Sequence, residues 1–168
     1  MREILFRGKR VDNGEWVYGY MLMSEWNDSV YIVTQDECNY NAGGSYFDGC
    51  IEKVIPETVG QYTGLTDKNG NKIFEGDIVE IEHIFRTYSW QEIPETYKPR
   101  RSHSCKWDEL GDKMHYKRNY AVEWKGKEVR FILRNGSDQH DLGQIYLTMH
   151  NGTIIGNIHD NPELLKGE

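Results

Sequence analysis

The sequence has few cysteines, and they are poorly placed for cross-linking or for binding metal. Its 168 residues include three of them, Cys38, Cys50 and Cys105. An odd number without close spacing predicts reduced thiols, as in a cytosol, rather than a disulfide framework. There is no Cys-x-x-Cys pair, and His103 with Cys105 has no second ligand pair at zinc spacing. We therefore expect no metal ion and no other cofactor.

Long apolar runs are also missing. The longest nearly uncharged run, WVYGYMLM at 16–23, is far shorter than the ~20 residues that a membrane-spanning helix needs. Five charged side chains within the first ten residues interrupt any signal-peptide core. The sequence predicts a soluble, cytoplasmic protein that makes no contact with a membrane.

Catalytic signatures are absent too. The sequence contains neither a GxSxG elbow nor an HExxH motif, and a cysteine nucleophile would have to choose among six histidines. Carboxylates with nearby imidazoles could hold a metal for phosphodiester cleavage, and two such sets occur: Glu75, Asp77 and His83, or His159 and Asp160. Turn and cap roles explain these carboxylates more simply. We expect no catalytic residues, with a metal-dependent nuclease-like enzyme as the alternative.

Turn signals are plentiful. The dipeptide Asn-Gly occurs at 13–14, 69–70, 135–136 and 151–152, and both residues tolerate the positive φ of type I′ hairpin turns. Segments of strand character lie around these turns, at 4–6, 16–23, 30–34, 77–82, 120–124, 129–133, 144–149 and 153–158. A helix is predicted only weakly at 107–117, and a short one at 160–167. The predicted fold is mainly β with minor α, built from antiparallel hairpins.

The stretch QYTGLTDKNGNKIFEGDIVEIE at 61–82 is rich in oxygen-bearing side chains, as cation sites are. As an EF-hand loop starting at Asp67, it places Lys72 where glycine is needed and Ile78 where glutamate is needed. The stretch therefore predicts turns between strands, without a bound ion. The predicted turn residues are Asn69 and Gly70, both with positive φ, followed by a second reversal at Gly76 and Asp77.

Three separated motifs resemble one protein family. The opening REILFRGKRVDNGEWVYGY, the central GLTDKNGNKIFEGDIV and the closing IIGNIHDNPELL, together with YAVEWKGKEVRF, resemble YopX-like proteins of bacteriophages and prophages of Gram-positive bacteria. The resemblance implies a mainly β fold, with GDIV resembling the first long strand of a small SH3-like barrel. It implies no catalytic or binding residues, because the family has no assigned function. We predict one domain over 1–168, with a variable insertion at about 83–118.

The insertion departs from the charge of the rest of the chain. Segment 83–118 carries a net charge of +3 and six aromatic residues, whereas the remainder of the chain carries −10. The first interpretation is an insertion whose aromatic residues pack on the sheet or on another copy of the chain. Contact with single-stranded nucleic acid, which basic and aromatic side chains together suit, is the alternative, and disorder is a third. The candidate contact residues for nucleic acid or a partner protein are Arg86, Trp90, Lys98, Arg100, Arg101, Lys106 and Trp107.

The sequence as a whole predicts a non-catalytic binding or assembly module of a phage or prophage. Its partner would be an unknown phage or host protein, with nucleic acid as a further possibility. Hairpin-built sheets leave edges that favour pairing, so we also expect a homo-oligomer, most simply a dimer. The tryptophans expected at a subunit contact are among Trp16, Trp26, Trp90 and Trp107.

Overall fold

A computed structural model describes residues 3–25, 28–34, 50–86, 106–107, 113–142 and 152–165, with the backbone alone at 83–86, 106–107 and 113–116. Twelve strands lie within these ranges: β1 (Phe6–Lys9), β2 (Trp16–Met23), β3 (Val30–Thr34), β4 (Ile51–Val54), β5 (Gly60–Thr66), β6 (Lys72–Phe74), β7 (Asp77–Arg86), β8 (Lys106–Trp107), β9 (Lys113–Lys125), β10 (Arg130–Asn135), β11 (Asp138–Asp141) and β12 (Thr153–Asn157). Two 3-10 turns lie at Pro56–Thr58 and Pro162–Leu165. The prediction of a mainly β fold is confirmed.

The chain divides into two compact units. The first consists of Met1–Leu65 and Lys72–Gly76, and the second of Thr66–Asn71 and Asp77–Glu168. The prediction of one domain with an insertion stays a prediction.

The first unit is built on an antiparallel sheet with the strand order β4-β3-β2-β1-β5-β6. One face of this sheet carries a core cluster of Val30, Ile32 and Val54, against which Phe6 and Val17 pack. The first strand pairs with β2 only over Trp16–Gly19, whereas β3 pairs with β2 over Gly19–Met23. The outer half of β2 therefore extends beyond β1.

The second unit is built on a sheet with the strand order β11-β10-β9-β7-β12. Its longest pairing joins β7 to β9, from Ile78↔Ala121 to Arg86↔Lys113. In this unit, the buried apolar side chains that the structure describes lie on β7, β9 and β10 and just after β11. They are Ile78, Val79, Ile81, Tyr120, Ala121, Val122, Phe131, Ile132, Leu133 and Leu142. Consecutive residues are buried in each of these strands, and since successive side chains of a strand point to opposite faces, the strands are covered on both faces there.

The hairpin turns differ in type from those predicted. Gly14, Gly70 and Gly136 all have positive φ, whereas no described asparagine does. At 67–71, the Asp67 N–H donates to the Asn71 carbonyl and the Gly70 N–H to the Asp67 carbonyl. This is a three-residue loop with glycine in the left-handed position, so the two-residue type I′ turn predicted at Asn69-Gly70 is wrong.

Two further expectations need correction. The helix predicted at 107–117 is wrong, because Lys106–Trp107 and Lys113–Lys125 are strands that pair with each other, and the second also pairs with β7. Long-range strand pairing overrides the helical spacing of apolar residues there. The C-terminal helix is a single 3-10 turn.

The sequence predicted a partly barrel-like sheet. The described strands form two antiparallel sheets without a closed barrel, and an isolated bridge between Arg10 and Val54 brings the end of β1 against the outer edge of β4.

The redox state of one cysteine also differs from expectation. Cys50 is completely buried and is disulfide-bonded. The prediction of reduced thiols is therefore wrong for this residue, while Cys38 and Cys105 lie outside the described residues. A disulfide stabilises the folded state chiefly by restricting the unfolded chain.

Candidate binding surface on the second strand

Several neighbouring apolar side chains are exposed on β2. Tyr18, Tyr20 and Leu22 are each about half exposed, at 49%, 50% and 49%, and share one face of the strand because side chains alternate. Met21 and Met23 lie on the other face and are 37% and 64% exposed. We call these five residues the β2 apolar surface. Apolar residues clustered in this way are typical of a site that meets a partner.

Local strand pairing explains why these side chains are left uncovered. Over Trp16–Gly19, β2 pairs with β1, and from Gly19 to Met23 it pairs with β3. A Cβ at Gly19 would lie 2.0 Å from the Val33 carbonyl oxygen, so only glycine permits this approach of β2 to β3. Beyond Gly19, β3 is the strand that accompanies β2 within the described part of the chain, where Met21 and Met23 lie opposite Ile32 and Val30.

A concavity of about 550 Å³ adjoins the end of β2. It is lined by Leu22, Met23, Ser24, Glu25, Tyr31 and Ile51. Four of these side chains are apolar or aromatic, and a single carboxylate adds negative charge at one side. Such a lining suits an apolar side chain of a partner better than a charged one.

A buried arginine supports the other end of the surface. The Arg7 guanidinium lies 4.7 Å from the Trp16 ring centroid and 5.1 Å from that of Phe74. It also donates a hydrogen bond of 3.1 Å to the Glu75 carbonyl. Phe74 in turn packs edge-to-face on Tyr18, with ring centroids 5.5 Å apart. The cation and the aromatic rings together hold Tyr18 in place.

The oxygen-rich stretch at 67–71 uses its one buried carboxylate within the turn. Oδ1 of Asp67 accepts hydrogen bonds from the N–H groups of Asn69 and Asn71, both at 2.8 Å. Oδ2 accepts one of 3.0 Å from the Asn71 side chain and one of 3.3 Å from the Ile154 N–H. Asp67 is thus a structural acceptor that joins the hairpin tip to β12.

The electrostatics of Asp67 follow from the same contacts. Burial raises the pKa of its carboxyl, but the hydrogen bonds from the Asn71 side chain and from the backbone of Asn71, Ile154 and Asn69 outweigh burial. The pKa therefore lies below the ordinary aspartate value, and the group is ionised at neutral pH.

The second predicted reversal is observed. Gly76 has a φ of 84°, as predicted for a residue that turns the chain. Asp77 follows at the start of β7, where it is buried and lies opposite Asn157 of β12. Two of the motifs singled out in the sequence, FEGDIV and IIGNIHDNPELL, therefore meet along one strand pair. Nδ2 of Asn157 is buried without a hydrogen-bond partner.

Three of the seven predicted contact residues fall on described backbone. Arg86 ends β7 opposite Lys113, and Lys106 and Trp107 form β8, opposite His115 and Met114 of β9. The outer ends of β7, β9 and β8 thus lie side by side. The other four predicted residues, Trp90, Lys98, Arg100 and Arg101, lie outside the described residues.

The predicted tryptophan contacts are placed only in part. Trp16 is half-buried between Arg7 and Lys9, whose Nζ lies 5.5 Å from its ring centroid. Trp107 is described through its backbone alone, and Trp26 and Trp90 fall outside the description. Sequence reasoning missed the β2 apolar surface, although the unbroken apolar run WVYGYMLM was its signal.

The described part of the chain brings no three His, Cys, Asp or Glu side chains together as a metal site would. Among the same residues, no helix is long and apolar enough to cross a membrane.

Comparison with known proteins identifies a family and a similar fold. A family model described as "YopX protein" matches residues 5–166. No curated protein sequence matches the chain. Among solved structures, protein EF1440 from Enterococcus faecalis is similar, with a TM-score of 0.52 and 23% sequence identity over 98% of this chain and 99% of that chain. At this level of identity, the likeness shows the fold alone.

Proposed function

The chain belongs to the YopX protein family, and we propose that it serves a bacteriophage or prophage as a non-catalytic binding or assembly module in the host cytoplasm. The observation that carries this proposal is the β2 apolar surface, with five exposed apolar side chains on one strand. Leaving such a strand in water is unfavourable, so a partner that covers it contributes binding free energy.

The placement of the carboxylates supports a binding role. Asp67 is held within a hairpin turn by four hydrogen bonds. Other acidic side chains are paired with bases along the strands, as Glu80 is with Lys117 at 2.7 Å and Glu123 with Arg134 at 2.6 Å. A nuclease needs carboxylates that converge on a metal ion, whereas these carboxylates are spread along the sheet and occupied.

The experiment that tests this proposal compares binding with cleavage. Purified protein is incubated with single-stranded and double-stranded DNA and RNA in the presence of Mg²⁺ or Mn²⁺. In parallel, it is used as bait in extract from phage-infected cells, with and without added nuclease. We expect intact nucleic acid and a retained protein whose binding is lost when Leu22→Asp places a charge on the β2 apolar surface. Metal-dependent cleavage that Asp77→Asn abolishes would refute the proposal and support the enzyme.

A second candidate function is binding of single-stranded nucleic acid through 83–118. The pairing of β8 and β7 with β9 favours it, because this pairing aligns Arg86, Lys106 and Trp107 at one end of the sheet. Local positive charge attracts phosphate where the acidic remainder of the chain repels it.

Replacement of Lys98, Arg100, Arg101 and Lys106 by Ala should abolish retention of single-stranded DNA or RNA at ~50 mM salt, where such binding is strong. The matched control replaces three exposed lysines elsewhere, Lys53, Lys68 and Lys127, and should retain nucleic acid. No retention by the parent protein removes this second candidate.

A further inference from the structure

The outer half of β2 presents an open backbone edge. Within the described part of the chain, no strand pairs with Met21 or Met23 on the side of β2 that faces away from β3. The described pairing with β1 stops at Gly19, whereas Leu5, the residue before Phe6, still accepts a hydrogen bond from the Tyr62 N–H of β5.

The register shows which backbone groups face this edge. Ser24 N–H donates to the Ser29 carbonyl at 2.9 Å, so Ser24 is directed towards β3. The side to which a residue directs its backbone N–H and C=O groups alternates along an antiparallel strand. The backbone groups of Leu22 therefore also point to β3, whereas those of Met21 and Met23 point to the open side. Thr34 gives an independent check, because its N–H donates to Cys50 on the β4 side.

Natural proteins protect open edges with charges, proline or a bulge. The strand WVYGYMLM contains no charged residue and no proline, and its pairing with β3 is regular from Gly19 to Met23. Among the described residues, the edge is therefore unpaired, and its own sequence carries none of these protections. Its backbone groups specify the occupant as an extended strand, because only another strand satisfies alternate N–H and C=O groups.

We propose that this edge pairs with the same edge of a second copy of the chain, antiparallel about a two-fold axis. This inference rests on the proposed function as an assembly module and names the surface through which assembly occurs. A strand that pairs with itself in this way makes an isologous contact, the commonest arrangement in homo-oligomers.

The directions of the backbone groups fix the register. Met21 exchanges both hydrogen bonds with Met23 of the partner subunit, and Met23 does so with the partner subunit's Met21. Leu22 then lies opposite the partner's Leu22, in the closely spaced, non-hydrogen-bonded position at the axis. Pairing ends at Gly19, where β1 begins to accompany β2, and at the turn that follows Ser24.

A second copy suits this edge better than a foreign peptide. Each chain carries a net charge of −7, so the repulsion between two copies is smallest where the contact itself is uncharged. Met21–Met23 is an uncharged stretch, and the register places no like charges opposite each other. The exposed Leu22 side chain of each copy lies against the partner's Leu22, and Met23 lies against the partner's Met21.

The test combines sedimentation with cross-linking. At tens of micromolar we expect a dimer of the parent protein. Met21→Pro removes one outward N–H and keeps the pairing with β3, and Met23→Lys adds a charge at the edge. Each should weaken dimerisation at least tenfold, while the control Val129→Lys, at an equally exposed apolar position of the second unit, should not. Leu22→Cys should form a disulfide-linked dimer on mild oxidation and Tyr18→Cys should not, because only the former lies at the axis.

A parent protein that remains monomeric under these conditions overturns the inference, as does a dimer that survives both edge substitutions. If the monomer instead captures a phage or host protein, and Met21→Pro prevents that capture, the edge takes a foreign strand. That outcome overturns pairing between copies and leaves the proposed binding function intact. Loss of dimerisation in both edge variants with unchanged circular dichroism supports the inference.

Discussion

Replacing Asp67 by Asn tests whether this carboxylate is a structural acceptor. The substitution keeps an acceptor for the N–H groups of Asn69 and Asn71. It replaces Oδ2 by an NH₂ group, which then faces two donors, the Asn71 side chain and the Ile154 N–H. A hydrogen bond to a charged group contributes about 1.5–3 kcal/mol, and the 3.3 Å bond to Ile154 belongs at the weak end. We expect a loss of about 3 kcal/mol in the free energy of unfolding.

For a chain of this length, a loss of that size lowers the melting temperature by about 6–12 °C. Calorimetry or thermal circular dichroism measures the change. Asp12→Asn is the control, because Asp12 also lies in a hairpin turn but is exposed, and Arg10 is its side-chain partner. That substitution should leave the melting temperature nearly unchanged.

The pH dependence of stability provides a second test of the role of Asp67. Because the folded pKa of Asp67 lies below its unfolded value of about 3.9, the ionised carboxylate contributes its full stabilisation above the unfolded pKa. That contribution is lost as pH falls through the folded pKa. The difference between parent and Asp67→Asn should thus be constant near neutrality and shrink below about pH 4. A difference that persists in acid refutes the reasoning, as does a calcium-dependent rise in melting temperature that Asp67→Asn abolishes.

Three further predictions concern backbone strain and the thiols. Gly70→Val should destabilise the protein by about 1–2 kcal/mol in a denaturant titration, because φ is 86° there and a β-branched residue resists that conformation. Val129→Gly should raise stability by about 0.5–1 kcal/mol, since Val129 already has a φ of 53° and is largely exposed; an unchanged or lower stability contradicts this. Because Cys50 is disulfide-bonded, one free thiol among the three cysteines should react in denatured, unreduced protein, and a count of three would exclude the bond.

Much of the first sheet could be predicted from local sequence. The bounds of β2 and β3, 16–23 and 30–34, are those predicted, because β-branched and aromatic residues are concentrated there. Gly76 was recognisable as a turn residue from its place between two apolar segments. The short strands β4 and β6 were not predicted, since IEKV and KIF have too few residues to show a period.

The candidate site could not be predicted, because exposure is decided by which strand lies alongside. An unbroken apolar strand predicts burial on both faces, and WVYGYMLM was used only to exclude a membrane span. The residues of this segment do not show that β1 pairs with β2 over Trp16–Gly19 and no further. The strands beside β2 are set by pairing between distant parts of the chain, as β1 also pairs with β5 through Arg7 and Gly60, more than fifty positions apart. The helix predicted at 107–117 fails for a similar reason, since Lys113–Lys117 pairs with Glu82–Arg86 of β7 and not with residues nearby in sequence.

The interleaving of the two units limits how the protein can be divided. The chain passes from the first unit to the second after Leu65, returns at Lys72 and leaves again after Gly76. A fragment that ends at Leu65 lacks β6 and with it Phe74, the ring packed against Tyr18 and Tyr62. A fragment that begins at Asp77 lacks Asp67, which accepts a hydrogen bond from Ile154. Neither unit can be excised as one continuous piece of chain, so proteolysis between Leu65 and Asp77 should damage both halves at once.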